Sequence, residues 1–518
     1  MKNFLTLLSF LFIFNLNYAQ EVDFKWGNPE KLIRKSSAPE LLGVRNNKAF
    51  ILKSGNPINV GAFNLSVNDV TSLKNEIQID FKKTLPKDVA ENSLFDVYLL
   101  KNTILIISLT KKDELIGSIL DLKGQVLKGR VSIDKAEAKD RKFDGFSVSL
   151  SEDQNTILGY RKTKSIDKKS TSFIFSAYDT DLKRLNTTKI NLPYEEDNLD
   201  FGKVSIDNKS NVFIVANAKF KGKRAKYDII KSILLQLPLG KKKPELNEVA
   251  IPIGKRIVTS MSFLIFEDKI ALTGMYGDDK DLDVLDGIFY MELSKSSLEV
   301  VSSTFEKFKA GLQTRRPLSK KMDKYTGFGN VLKNIYIDEN KNKLLIFEMV
   351  QIFYRFDSKG NIDKVIQSMD LTVVRLTPEN KIDWNINIFK NQYLTIPYYR
   401  PVLFLPANYA YRIYKKFEYL LSYSIMYQNG TVYFIFNDHV KNIGKKNADE
   451  VYNNFKKSYT AIIVMDAKTG KWQKKALFKA KEAKRMITPL NSDQISEKQM
   501  LVFTYEKKFT NIGLLIIE

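Results

Sequence analysis

Along the chain, a short stretch of alternating apolar and polar residues is followed by a polar turn and then by a nearly continuous apolar run, and this unit recurs eight times. The turns carry Asn or Asp and fall near Asn47, Asn102, Asp153, Asn208, Asp268, Asn340, Asn429 and Asp493. The segments VSLSEDQNTILGY (148–160), VSIDNKSNVFIVAN (204–217), IYIDENKNKLLIFEM (335–349) and SIMYQNGTVYFIFND (424–438) show it most plainly. Alternation predicts a strand with one covered face; the unbroken apolar run predicts a strand covered on both. A second hairpin follows in several units, as in SILDLKGQVLKGRVSI (118–133) and IVMDAKTGKWQKKALF (463–478), with Gly, Asn or Ser in the turn. Two hairpins make four strands.

A four-stranded unit cannot cover its own apolar faces, so a repeat of roughly 50 to 90 residues predicts a ring in which each unit packs on the next. The predicted fold is therefore all-β: a β-propeller of eight four-stranded blades, with seven as the alternative if the first unit is irregular. The last unit runs out of chain after its third strand, at residues 512–518, while Val22 to Trp26 stands spare near the start. Pairing that stretch as the outer strand of the last blade would close the ring and hide an open sheet edge.

The first twenty residues combine Lys2, an apolar run from Phe4 to Phe14 and a polar stretch ending in Tyr18, Ala19 and Gln20. That pattern reads as a secretory signal peptide cleaved near Ala19 or Gln20. The expected organisation is thus a signal peptide over 1–20 and one propeller domain over 21–518, interrupted by a long inter-blade insertion at 387–418. No later run reaches the length of a transmembrane helix. The expected location is periplasmic, or secreted and extracellular.

Composition narrows the chemistry. The 518 residues include no Cys, which excludes disulfides, thiol catalysis and thiolate metal sites. The formal charge of +23 would attract anionic partners over about a Debye length, ~8–10 Å. Most of the basic residues are Lys, as expected of a solvated surface with protected strand edges. The single His, His439, cannot build a multi-histidine metal site or, with no nucleophile elbow in the chain, support a triad. Asp279, Asp281 and Asp283, within the acidic run Asp278 to Asp286, imitate the start of a calcium loop. The match fails at Val284, where Gly is needed, and at Tyr290, where a bidentate Glu is needed. No metal or cofactor is assigned.

In such a blade, the connections between second and third strands and those between blades emerge on one face. The long segments belong to these two classes: 219–231, 274–287, 351–369 and 437–458, with crossovers 306–329 and 387–418. Insertions gathered on one face predict the binding surface. The fullest is rich in Tyr, including Tyr398 and Tyr399, which suits either stacking on sugar rings and protein anchors or the core of a lid. The candidate binding residues are Trp384, Lys390, Gln392, Tyr398, Tyr399, Asn437 and Asp438; the competing reading makes Asn437 and Asp438 turn caps and Trp384 an inter-blade plug.

Two resemblances bear on this. VMDAKTGKW (464–472) resembles the repeat of quinoprotein-like propellers, which implies that Trp472, with Trp384 as an echo, packs between blades. The repeat is not kept around the ring and the family's calcium ligands are not identifiable, so no quinone is implied. More of the chain, in GMYGDD with DGIFYMEL (274–293), LLIFEM (344–349), IDWNINIFKNQ (382–392) and VYFIFNDHVKN (432–442), is similar to an uncharacterised family of exported Bacteroidetes proteins. That likeness implies fold and compartment only. The functional expectation is a non-catalytic exported binding or scaffold protein that recognises a protein or anionic glycan of the cell envelope through the loop-rich face. A monomer is the default, with the oligomeric state left open, and no specific nucleic-acid binding is expected. The alternative is a hydrolase or lyase acting on an envelope polysaccharide with carboxylates from several blades.

Overall fold

The computed structural model describes residues 22–517 apart from 32–38, 55–58, 137–144, 164–169, 196–197, 221–228, 242–243, 255, 267, 278–283, 314–326, 357–361, 400–417, 443–457, 479–485 and 507–508. The expected signal peptide therefore lies outside the described residues. So do Asp278, Asp279, Asp281 and Asp283, and most of the insertion at 387–418.

Eight antiparallel sheets follow one another along the chain, each built on four strands. In seven of them the four strands pair in sequence order, from the inner strand outward; the first blade, for example, pairs Glu40–Arg45, Lys48–Ser54, Phe63–Asp69 and Asn75–Asp80 in turn. The second strands are apolar because both faces are covered. All residues of Ile104–Ser108 and of Val432–His439 are buried. Each blade's burial is completed by its neighbour, and the apolar core divides into one cluster per blade interface. Leu158, Phe175, Ile214 and Leu235 lie between blades three and four, for instance, and Ile346, Val373, Phe434 and Ile463 between six and seven.

The ring closes as the sequence predicts. Val22–Trp26 pairs antiparallel with Phe509–Ile517, Val22 opposite Ile517 and Trp26 opposite Gly513. Phe24 and Trp26 stack with ring centroids 5.1 Å apart and meet Phe478 of the seventh blade. Gly513 is required here, because a Cβ at that position would overlap the Trp26 ring. The seam on the other side of the last blade joins Leu501, Phe503 and Leu514 to Ala49, Ile51 and Leu73 of the first.

The inner hairpin turns fall where the pattern places them in seven blades; in the eighth, Asp493 is already in the strand Asp493–Ser496 and the turn is at Glu497 and Lys498. The turn-forming residue is often an Asp just ahead of the Asn. Asp207 accepts from the backbone N–H of Lys209 and Asn211, and Asp338 from that of Asn342. Asn47, Ser210, Lys341 and Asn429 supply the left-handed φ that tight turns require.

Several of the segments read as loops are in part strand, most clearly three of them in blades five and six. In blade six, Lys343–Phe356 and Ile362–Leu376 form one long hairpin through 351–369, and Gln392–Tyr399 of the 387–418 crossover adds a fifth strand to it. In blade five, Val300–Gln313 runs into the 306–329 crossover. Sequence periodicity cannot separate a long hairpin from a strand followed by a loop when both are polar and aromatic in alternation.

Removing the closing strand's anchor tests the seam. Trp26→Ala is expected to cost about 2 kcal/mol, roughly half the loss for a fully buried Trp. It should appear as a lower thermal midpoint with faster proteolysis at the amino-terminal strand.

Candidate functional site

Blade six is the structural exception, and three of the predicted site residues, Lys390, Gln392 and Asn437, meet at its long-loop end. Its second strand has 14 residues against nine in Thr431–His439 of blade seven, which adds ~16 Å of strand on the long-loop side. The outer edge is built in two collinear pieces. Ile382–Ile388 pairs with the lower part of Ile362–Leu376, and Gln392–Tyr399 pairs with its upper part. Lys390 sits in the break between them. The extended hairpin, Gln392–Tyr399 and the start of Gly327–Ile337 together form an arm above the propeller body.

The break turns the Lys390 side chain inward, where it is fully buried. Its Nζ donates to Glu348 Oε1 at 2.7 Å, Ser368 Oγ at 2.5 Å and Gln392 Oε1 at 3.1 Å, so all three ammonium hydrogens have acceptors. The equally buried Glu348 carboxylate also accepts from the hydroxyls of Ser368 at 2.5 Å and Ser422 at 2.6 Å, and Lys333 on the inner strand lies 3.4 Å away. Burial pushes the Glu348 pKa up, but the charges of Lys390 and Lys333 and the hydrogen bonds outweigh it and hold the carboxyl below its ordinary value. Burial pushes the Lys390 ammonium down, against the opposing pull of Glu348. Nearby, Tyr423 stays protonated because burial, and then Glu348, raise its pKa; its hydroxyl donates to Asn334 at 2.9 Å.

The network continues into the next two blades. Gln392 Nε2 donates to the carbonyls of Ser422 and Asn437, at 3.1 and 2.9 Å. Asn437 Nδ2 donates to the carbonyls of Leu420 and Ile487, at 3.0 and 2.8 Å, and its Oδ1 accepts from Thr460 at 3.1 Å. Ser422 holds a left-handed φ of 63°, a conformation costly for a residue with a side chain, which its bonds to Glu348 and Gln392 keep in place. Blades six, seven and eight are thereby tied together at the loop face.

The candidate residues fall into three groups. Lys390, Gln392 and Asn437 meet in this network, bonded to the protein itself. Asp438 is adjacent but turns to Lys474, with which it forms an ion pair, and to Asn442, whose Nδ2 donates to it at 2.6 Å. Trp384 lies elsewhere, between blades six and seven near the short-turn face, its indole against Gly470 and its Nε1 donating to the Lys468 carbonyl at 3.0 Å. Trp472 packs against the same cluster. Tyr398 and Tyr399 stand at the far end of the fifth strand, and their side chains fall outside the described residues. The sequence reasoning missed Glu348, Ser368, Ser422 and Lys333. The one legible signal was Glu348 itself, a lone carboxylate inside the apolar run LLIFEM.

The remaining chemistry is structural where it is described. His439 is buried, and its Nδ1 accepts from the Lys441 backbone N–H at 3.1 Å. Val284 and Tyr290, the positions at which the calcium-loop pattern fails, belong to the strand Val284–Ser294. No group of three or more His, Cys, Asp or Glu side chains among the described residues could hold a metal ion. No helix among them is long and apolar enough to cross a membrane.

At the short-turn end of the central channel, Lys203, Lys295, Leu264, Phe266 and Ile337 line a cavity whose acids are Glu152 and Asp207. Asp207 is committed to its own turn and to Lys295 at 3.7 Å.

No protein-family model matches the chain, and no curated protein matches it in sequence. Solved structures of similar shape include the WD40 domain of SCAP from fission yeast, with 8% identity, 96% of this chain and 98% of that one covered, and a TM-score of 0.37. The polysaccharide lyase Uly1 has 10% identity, 81% and 89% coverage, and a TM-score of 0.35. A PL25 ulvan lyase has 8% identity, 81% and 91% coverage, and a TM-score of 0.36. Likeness at this level bears on no ligand and no reaction.

Breaking the buried pair separates a brace from a bystander. Lys390→Met leaves a buried carboxylate without its main counter-ion and should cost about 3–5 kcal/mol, whereas Lys390→Met with Glu348→Leu should recover most of the loss. Equal thermal midpoints for the single and double variants would refute the coupling. Because the folded Glu348 pKa is depressed, its stabilisation is complete above the unfolded-state value and is lost as pH falls through the lower folded one. Thermal midpoints of Glu348→Gln should therefore lack that acid-side decline.

Proposed function

We propose that this chain is a non-catalytic exported binding or scaffold protein, which recognises a protein or an anionic glycan of the cell envelope through its long-loop face. The observation that carries the reading is the arm of blade six, extended by about five residues per strand and braced from below by the Lys390–Glu348 network. A protruding sheet held by a fully satisfied buried ion pair is a rigid platform, and rigid placement of exposed loops is how propellers present binding residues. In this reading Lys390, Gln392, Asn437 and Asp438 are positioning residues. Tyr398, Tyr399 and the segment after them meet the partner. The strongly basic composition favours an anionic one. Removal of residues 1–20 on export, into the periplasm or beyond, belongs to the same proposal.

The alternative of a polysaccharide hydrolase or lyase requires free carboxylates that converge. Glu348 is neutralised by two lysines, and Asp207 is tied into its turn. Neither supports the enzyme reading.

The test uses the mature chain and a variant lacking residues 400–416, which spares Lys390 and Gln392. Binding to anionic glycans and to envelope fractions should fall at least about tenfold in the variant, with an unchanged thermal midpoint. Retention of every partner by the shortened chain, or release of unsaturated uronate from a polysaccharide by the intact one, would overturn the proposal.

A further inference from the structure

On the face opposite the arm, a cavity of about 610 Å³ opens where the inner strands of blades three to six end. That is the size of a small-ligand site. Inner strands run from the long-loop face to the short turns, so Leu150, Ser205, Phe266 and Ile337, at or near their last positions, place the cavity at the short-turn end of the channel.

Its wall is apolar and open. Leu264 and Ile337 are 37% and 50% exposed, although they stand on strands whose alternate residues are packed. Large apolar side chains gathered round one concavity, unlike single ones scattered over a surface, mark a place that a ligand covers.

The charges in the wall are unequal in their commitments. Lys295 is held by Asp207, which also accepts from two backbone N–H groups and from Asn211. Glu152 is exposed in the turn at the rim. Lys203 forms no ion pair among the described residues: its Nζ donates to the Phe263 carbonyl at 3.0 Å and lies 5.3 Å over the Phe263 ring. Two of its three ammonium hydrogens are left for another acceptor.

We propose that this cavity binds an amphipathic carboxylate, its anionic head on Lys203 and its apolar body along Leu264 and Ile337. A carboxylate on an ammonium makes a charge-assisted hydrogen bond, and the apolar wall supplies the rest of the affinity.

Calorimetric titration with sodium decanoate tests this. One decanoate per chain should bind, about tenfold more weakly in Lys203→Gln and in Ile337→Glu. Decan-1-ol should bind wild type and Lys203→Gln alike. Glu152→Gln, by removing the like charge at the rim, should tighten decanoate about twofold. All three positions are exposed, so thermal midpoints equal to wild type should accompany these changes. Absence of binding at millimolar decanoate, unchanged affinity in Lys203→Gln, or equal binding of decyltrimethylammonium would overturn the proposal. The two sites lie on opposite faces, so the variant lacking 400–416 should keep its decanoate affinity, and either proposal can fail alone.

Discussion

The second and third strands of the blades are mostly buried on both faces, and only a neighbouring blade on each side can cover them. This requirement governs the rest of the structure. A row of such blades would leave an apolar sheet face exposed at each end, whereas a ring leaves none. Hence the first described strand, Val22–Trp26, completes the last blade, and hence the core divides into slabs, one to each interface. The outer strands escape the requirement and carry the polar residues, as the mostly exposed Val126–Lys135 shows.

Closure fixes the body but leaves its upper face free to vary, and blade six uses that freedom. Its hairpin continues past the ring and must be held at the angle at which it leaves. The device is a buried Lys–Glu pair, costly to desolvate and tolerable only because every donor hydrogen of Lys390 and both oxygens of Glu348 are satisfied. An apolar cluster of equal volume would pack as well but could slide. Directional bonds that reach Ser422 and, through Gln392, Asn437 fix the arm relative to blades seven and eight.

The predicted site was legible in part, for an identifiable reason. Lys390 and Gln392 two residues apart, and Asn437 beside Asp438 at a strand end, stood out as polar residues at the edge of apolar runs. Such residues are conspicuous whether they face solvent or each other. The structure sets the first three facing inward, and it separates Trp384 from them because that Trp lies far down the outer strand, toward the opposite face. Glu348 showed only as a lone carboxylate in an apolar run, and Ser368 and Ser422 did not show at all: the first two meet across the blade-six hairpin, and Ser422 reaches them only when the segment ahead of blade seven packs on it.

By itself the sequence determined what period and turn chemistry control: the strands, their grouping in fours, a ring of seven or eight units and the pairing of Val22–Trp26 with the last of them. These follow from local alternation and from the need to cover both faces of apolar strands, which every unit states anew. Tertiary structure alone decided the inward turn of Lys390, the length of the arm and the opening of the channel at Leu264, Ile337 and Lys203. Each of those depends on which side chains from distant strands come within bonding distance, and no local pattern carries that information.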